Sequence, residues 1–254
     1  MRMALLDTIT GTIARRILLN YRIDPIVAQE ILPKGFRPLL YHRYAIGGVC
    51  LIRFEGLRPN FLPFWLGATS ENAAFRYAVE WEHDGEPKTG VYIPRRESNS
   101  ALNRALGGRV FPGLFHRSRF DVEESDTAIR IQVESQDDEH EIDLTVAYDT
   151  DFCSTSVFPD LQSASEFFLQ GAVGYSATNE DQRFQGIELE SHEWVVEPLR
   201  IEHAHSTYFD DPVRFPPGSI ELDCALLMRN IRHSWHTLPD LCATQSESGS
   251  IQLM

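Results

Sequence analysis

Over residues 72–83 the side chains alternate in kind. Ala74, Arg76, Ala78 and Glu80 fall on one side of an extended chain, and Phe75, Tyr77, Val79 and Trp81 on the other. Successive side chains of a strand point to opposite faces, so this run is predicted to be a strand with one aromatic face to bury. Segments of the same character recur along the chain. Residues 13–23 are rich in Ile, Leu and Tyr, and 39–56 reads as two strands with a turn near Gly47-Gly48. Asp84-Gly85 is a hairpin signal, with the return strand over 89–93. Further strands are expected at 115–122, 128–134, 141–148, 171–177, 183–189, 193–197, 199–206 and 220–235.

Helices are few and short. Asp24-Pro25 opens one: the aspartate can accept from free N–H groups of the first turn, and proline suits the first helical position. Pro33 and Gly35 end it. A second is expected over 98–106, capped by Ser98 or Asn99 and stopped by Gly107-Gly108, and a third over 163–170. The fold class is therefore α+β, mostly antiparallel β: a closed or cone-shaped β-barrel with two or three short helices at its rim, enclosing a cavity for a small ligand. Residues 1–238 are expected to form a single domain, and 239–254, rich in Ser and Gln, a flexible tail.

Composition excludes several functions. The formal net charge is −14, which repels phosphate backbones and anionic lipid, so no nucleic-acid partner is expected. No apolar run reaches about 18 residues, so no membrane partner is expected either. Without a signal peptide the default location is cytoplasmic. Cys50, Cys153, Cys224 and Cys242 are far apart and read as free thiols. No Walker loop, G-x-G-x-x-G or G-x-S-x-G is present, and no cofactor is expected. His203-Ala-His205 puts two imidazoles on one strand face, but no third ligand is evident, so no metal site is expected. Phe61-Leu-Pro-Phe-Trp-Leu66 has no strand period and could be a lid or a contact between subunits, which leaves a homo-oligomer open.

Two segments resemble the acetoacetate decarboxylase-like superfamily. Tyr21-Arg22-Ile23-Asp24, with its helix and Ile31-Leu32-Pro33, is similar to that family's "Y-R-x-D" entry. Residues 86–107, with Arg96-Glu97 inside, are similar to its "R-E" strand end and catalytic stretch. The string as a whole resembles the YqjF-like branch, domain of unknown function 2071. The resemblance implies a Schiff-base lysine with a second lysine beside it to depress its pKa. At the corresponding positions this chain has Asn103 and Arg104, neither of which can be that nucleophile. Its only lysines, Lys34 and Lys88, lie in a helix exit and a turn.

The sequence thus points to a small-molecule-binding barrel, acting on a carbonyl or carboxylate compound if it is an enzyme, and without a Schiff-base lysine. The alternative is a non-catalytic carrier or sensor, or an assembly protein. If the chain is catalytic, Glu97 is the candidate acid/base and Arg96 the anion anchor. Glu80, Asn103 and Arg104 are candidate ligand-binding residues. The family's first-strand arginine aligns with Ala14, so Arg16 stands in for it as a further ligand-binding candidate.

Overall fold

A computed structural model of the chain describes residues 8–100, 113–137, 139–191, 193–243 and 251–253. In chain order the elements are β1 (Thr8–Ile23), α1 (Pro25–Ile31), β2 (Arg37–Pro38), β3 (Leu40–Tyr41), β4 (Tyr44–Pro59), β5 (Ala68–His83), β6 (Glu86–Ser98), β7 (Phe115–Glu124), β8 (Ala128–Ser135) and β9 (Glu141–Tyr148). There follow α2 (Leu161–Leu169), β10 (Val173–Ala177), β11 (Arg183–Ser191), β12 (Glu197–Ser206), β13 (Ile220–Ala243) and β14 (Ile251–Leu253). All the strands belong to one sheet, mostly antiparallel. Its path runs β11-β10-β6-β7-β8-β9-β12-β13-β1-β4-β5-β2. The additional β5–β6 and β11–β13 pairings close it ring-like.

The aromatic face predicted for β5 points into this ring. Phe75, Tyr77, Val79 and Trp81 join one buried cluster with Ile17, Leu19 and Tyr21 of β1 and the alternate residues Ile129, Ile131, Leu144 and Val146 of β8 and β9. Tyr208 stacks on Phe75 at 4.5 Å between ring centroids, and the Tyr77 hydroxyl donates to that of Tyr208 at 3.1 Å. Among the described residues, the ring interior, expected to hold a cavity, is crowded with the buried aromatic side chains of this cluster. The second cluster lies on the other face: Leu18, Ile46, Cys50, Ala74, Ala78, Leu226 and Met228 are covered by Phe167 and Phe168 of α2. Asp160 starts α2 by accepting from the Ser163 amide at 2.7 Å, as Asp24 starts α1 by accepting from the Ile26 amide at 2.8 Å.

Three local expectations need correction. The turn in 39–56 is at His42, with φ 52°, and not at Gly47-Gly48. Those glycines lie within β4, where a Cβ on Gly48 would sit 2.1 Å from the Leu19 carbonyl oxygen. The pair marks a close approach of β1 and β4 rather than a reversal. Residues 193–196 form no strand, because Trp194 is tied to α2 through the Ser165 hydroxyl at 3.0 Å. Ser98 ends β6, where its hydroxyl donates to Asn72 at 2.7 Å and accepts from the Ser100 amide at 3.1 Å; residues 101–106 of the helix expected there lie outside the described residues. β13 runs past Pro239 to Ala243, paired with β11, so the loose tail does not begin at 239.

Candidate functional site

Four adjacent strands carry a cationic cluster on the face beneath α2. In the sheet, Leu18 of β1 lies opposite Cys50 of β4, Cys50 opposite Ala74 of β5, and Ala74 opposite Arg96 of β6. Arg76 is one step along β5, opposite Gly48, and Arg16 one step along β1, opposite Ile52. Their side chains gather around Cys50. Arg16 Nε donates to its Sγ at 3.1 Å, and Arg76 and Arg96 both lie within electrostatic range of it. A bulge makes this possible. Phe75 faces Arg95 but Tyr77 faces Tyr92, so Arg76 stands against the extra residues Ile93-Pro94. Beyond the bulge, Arg95 turns into the ring and Arg96 out of it.

The partners of these arginines are neutral. Arg76 donates to Asn20 Oδ1, and Asn20 is held as an acceptor because its Nδ2 donates to the Leu18 and Cys224 carbonyls. Arg96 donates twice to Ser176 Oγ, at 3.0 and 3.1 Å. Each guanidinium is covered by an aromatic ring: Arg16 by Trp194 at 5.7 Å, Arg76 by Phe168 at 5.1 Å, Arg96 by Phe115 at 5.7 Å. Among the described residues none of the three has a carboxylate within salt-bridge range, and 101–112 contains no Asp or Glu. Arg16 Nη1 and Arg76 Nε are buried without a hydrogen-bond acceptor. Burial pushes the pKa of Arg76 and of Arg96 down to about 10, which leaves both charged at neutral pH. Arg16, Arg76, Leu18, Val91, Phe167 and Phe168 border a cavity of ≈ 30 Å³, room for about one or two waters.

The residues singled out from sequence are divided. Arg16 and Arg96 belong to this cluster. Glu97, the neighbour of Arg96, faces the other way, into the ring. Its side chain is 1% exposed and accepts from Arg95, Ser118 and Ser135. The expected Arg96–Glu97 pair therefore does not form, because consecutive strand residues occupy opposite faces. Glu80 lies apart, 3.3 Å from Arg37, on a surface groove beside Pro25, Ile26 and Leu40. Asn103 and Arg104 lie outside the described residues. Lys34 and Lys88 are both exposed. Arg76, Asn20, Cys50 and Ser176 were not singled out. For Arg76 the available signal was a charge between Ala74 and Ala78 on one strand face. His205 lies 2.7 Å from Asp210, and no metal-holding group of three ligands occurs among the described residues.

His233 is buried on the same side of the sheet, 5.4 Å from Phe54 between ring centroids. Burial, reinforced by Arg16, pushes its pKa down to about 4. The unfolded chain then takes up a proton that the folded chain refuses between about pH 6.5 and pH 4. Stability should be full above that window and fall by on the order of 3 kcal/mol as the pH drops through it. Half-buried His140, lowered to about 4 by burial and Arg95, adds less. His233→Leu should flatten this acid limb, read as urea midpoints at neutral pH and near pH 4.5. An unaltered difference between the two midpoints would mean that His233 is not its source.

A ring-like, mostly antiparallel sheet with two short helices packed against it is the acetoacetate decarboxylase-like fold, and the comparisons agree. An acetoacetate decarboxylase from Legionella pneumophila superposes with a TM-score of 0.56 at 12% identity, over 91% of this chain and 87% of that one. An acetoacetate decarboxylase-like enzyme from Sphingomonas wittichii gives 0.53 at 12% identity, over 98% and 93%. The enduracididine biosynthesis enzyme MppR, in complex with pyruvate, gives 0.52 at 12% identity, over 92% and 88%. No curated protein sequence matches. Residues 10–219 match the model of DUF2071, an uncharacterized conserved protein, and the chain belongs to that family. No helix among the described residues is long and apolar enough to cross a membrane.

Proposed function

We propose that this chain binds a small carboxylate, with or without a neighbouring carbonyl, at Arg16, Arg76 and Arg96, and that it does so without Schiff-base chemistry. The observation that carries this reading is the gathering of three arginines in a largely buried site with only neutral partners. A buried charge is costly unless paired, so a charged cluster left on hydroxyl, amide and thiol groups is incomplete without an anion. Forked guanidinium groups suit the two oxygens of a carboxylate. The pyruvate bound by MppR is a carboxylate of this kind, held on the same fold. No lysine amine is buried to attack a carbonyl. Glu97 serves the fold in this reading, and Arg96 is the anion anchor.

Calorimetry at low salt with acetate, pyruvate and acetoacetate tests the proposal. Binding is expected, and Arg96→Gln should weaken it about 10- to 100-fold, the range for losing a charged hydrogen bond. Borohydride added with pyruvate should leave the protein mass unchanged. Absence of heat with all three compounds, or a mass increase after reduction, would overturn the reading.

A further inference from the structure

We infer that the ligand of the arginine cluster is a compact dianion, with two negative charges close together as in a short dicarboxylate or a phosphoryl group. This rests on the anion-binding reading above and adds the charge of the ligand. The chain supplies its own control, because it contains other buried arginines and neutralises each of them. Arg15, 3% exposed, is bound by Glu71 at 2.7 Å and Glu124 at 3.2 Å. Arg95 has Glu97, Asp137 and Glu139. Half-buried Arg22 has Glu221 and Asp223. Arg15 and Arg95, the other fully buried arginines among the described residues, each have two or more carboxylates. Arg16, Arg76 and Arg96 have none among the described residues, although the chain as a whole is strongly acidic.

Donor accounting leads to the same result. Arg16 spends Nε on a thiol, Arg76 one Nη2 on an amide oxygen, and Arg96 its Nε and Nη2 on a single hydroxyl. One carboxylate occupies one fork in a bidentate pair and leaves the other two guanidinium groups on neutral partners. A second negative charge engages a second fork and lowers the net charge of the three guanidinium groups from +3 to +1. The cavity between Arg16 and Arg76 is small, at ≈ 30 Å³, and Arg76 and Arg96 both lie within electrostatic range of Cys50, so the two charges must be close together.

Isosteres differing only in charge separate this inference from the reading beneath it. Malonate and malonamate, succinate and succinamate, and inorganic phosphate are titrated calorimetrically into the wild-type chain at about pH 8, where the acids and phosphate are doubly charged. Each dicarboxylate is expected to bind at least about tenfold more tightly than its amide, the yield of one further charged hydrogen bond. Arg76→Gln and Arg96→Gln should bring that ratio towards one, and the wild-type comparison stands even if a variant fails to fold. Phosphate binding more tightly than malonate would identify a phosphoryl ligand, and the reverse a dicarboxylate; both support the dianion. Equal binding of acid and amide, still dependent on Arg96, would overturn the dianion and leave the anion reading in place. No binding of any of them at about 10 mM, an affinity weaker than about −3 kcal/mol, would remove both.

Discussion

Arg76→Met should make the protein more stable and unable to hold its anion. The guanidinium lies in the second core, against Phe168 and Asn20, with its Nε unpartnered. Removing a charge from such a place recovers its desolvation cost, and replacing buried ionic groups with apolar ones of similar size often stabilises by about 1–4 kcal/mol. Methionine matches the length of the stem, and its sulfur suits the edge of the Phe168 ring. The offsetting loss is about 1–3 kcal/mol, because Asn20 Oδ1 is left buried and unpaired. The net gain should be about 1 kcal/mol, a rise in melting temperature of roughly 2–4 °C for a chain of this size. Malonate or phosphate should raise the melting temperature of the wild type and leave that of the variant where it is, since only a ligand bound to the folded state shifts the transition. A structural arginine behaves in the opposite way. If Arg76→Met melts several degrees lower, the charge is holding the fold together and the cluster loses its claim to be a binding site.

Much of the architecture can be read from the sequence because it is local. Alternation over residues 72–83 sorts Phe75 from Arg76 without knowledge of the neighbouring strands, and Asp24-Pro25 and Asp84-Gly85 act within a few residues. Gly47-Gly48 misleads because a glycine pair looks alike in a turn and at a close contact between strands; only the position of the Leu19 carbonyl distinguishes them. The site is legible in part. Arg16 and Arg96 are visible as charges on strands, and the missing lysine follows from Asn103 and Arg104 by inspection. Which charges meet is fixed by register. Arg76 and Asn20 are 56 positions apart, and Arg96 and Ser176 are 80 apart. The bulge at Ile93-Pro94, which sends Arg95 inward and Arg96 outward, leaves no mark in the alternation pattern. Arg96 and Glu97, consecutive in a strand, fall on opposite faces by alternation alone.

Glu97→Ala should be the most damaging single substitution among the residues discussed, and its damage should be confined to stability. The carboxylate is sealed inside the ring, where it accepts from Arg95 of its own strand, Ser118 of β7 and Ser135 of β8. It sits where the sheet is weakly tied by backbone, since β6 and β7 pair in parallel over only Arg96–Ser98 and Phe115–Arg117. Removing it strands the buried end of Arg95 and the Ser118 hydroxyl, while the Ser135 hydroxyl keeps its 2.6 Å bond to Asp137. Asp137 and Glu139 hold the outer end of that arginine but are themselves partly exposed. Breaking one side of a buried pair costs about 3–5 kcal/mol, which corresponds to a fall of roughly 10 °C in melting temperature. Glu97→Gln keeps the volume and one acceptor, so it should lose about half as much. Malonate affinity, measured well below the transition, should be unchanged in both variants, because Arg16, Arg76 and Arg96 lie on the far side of the sheet. An acid/base role for Glu97 requires the reverse pattern. If Glu97→Gln melts with the wild type yet no longer binds or turns over its ligand, Glu97 belongs to the functional site, and the division of β6 into a structural face and a binding face is wrong.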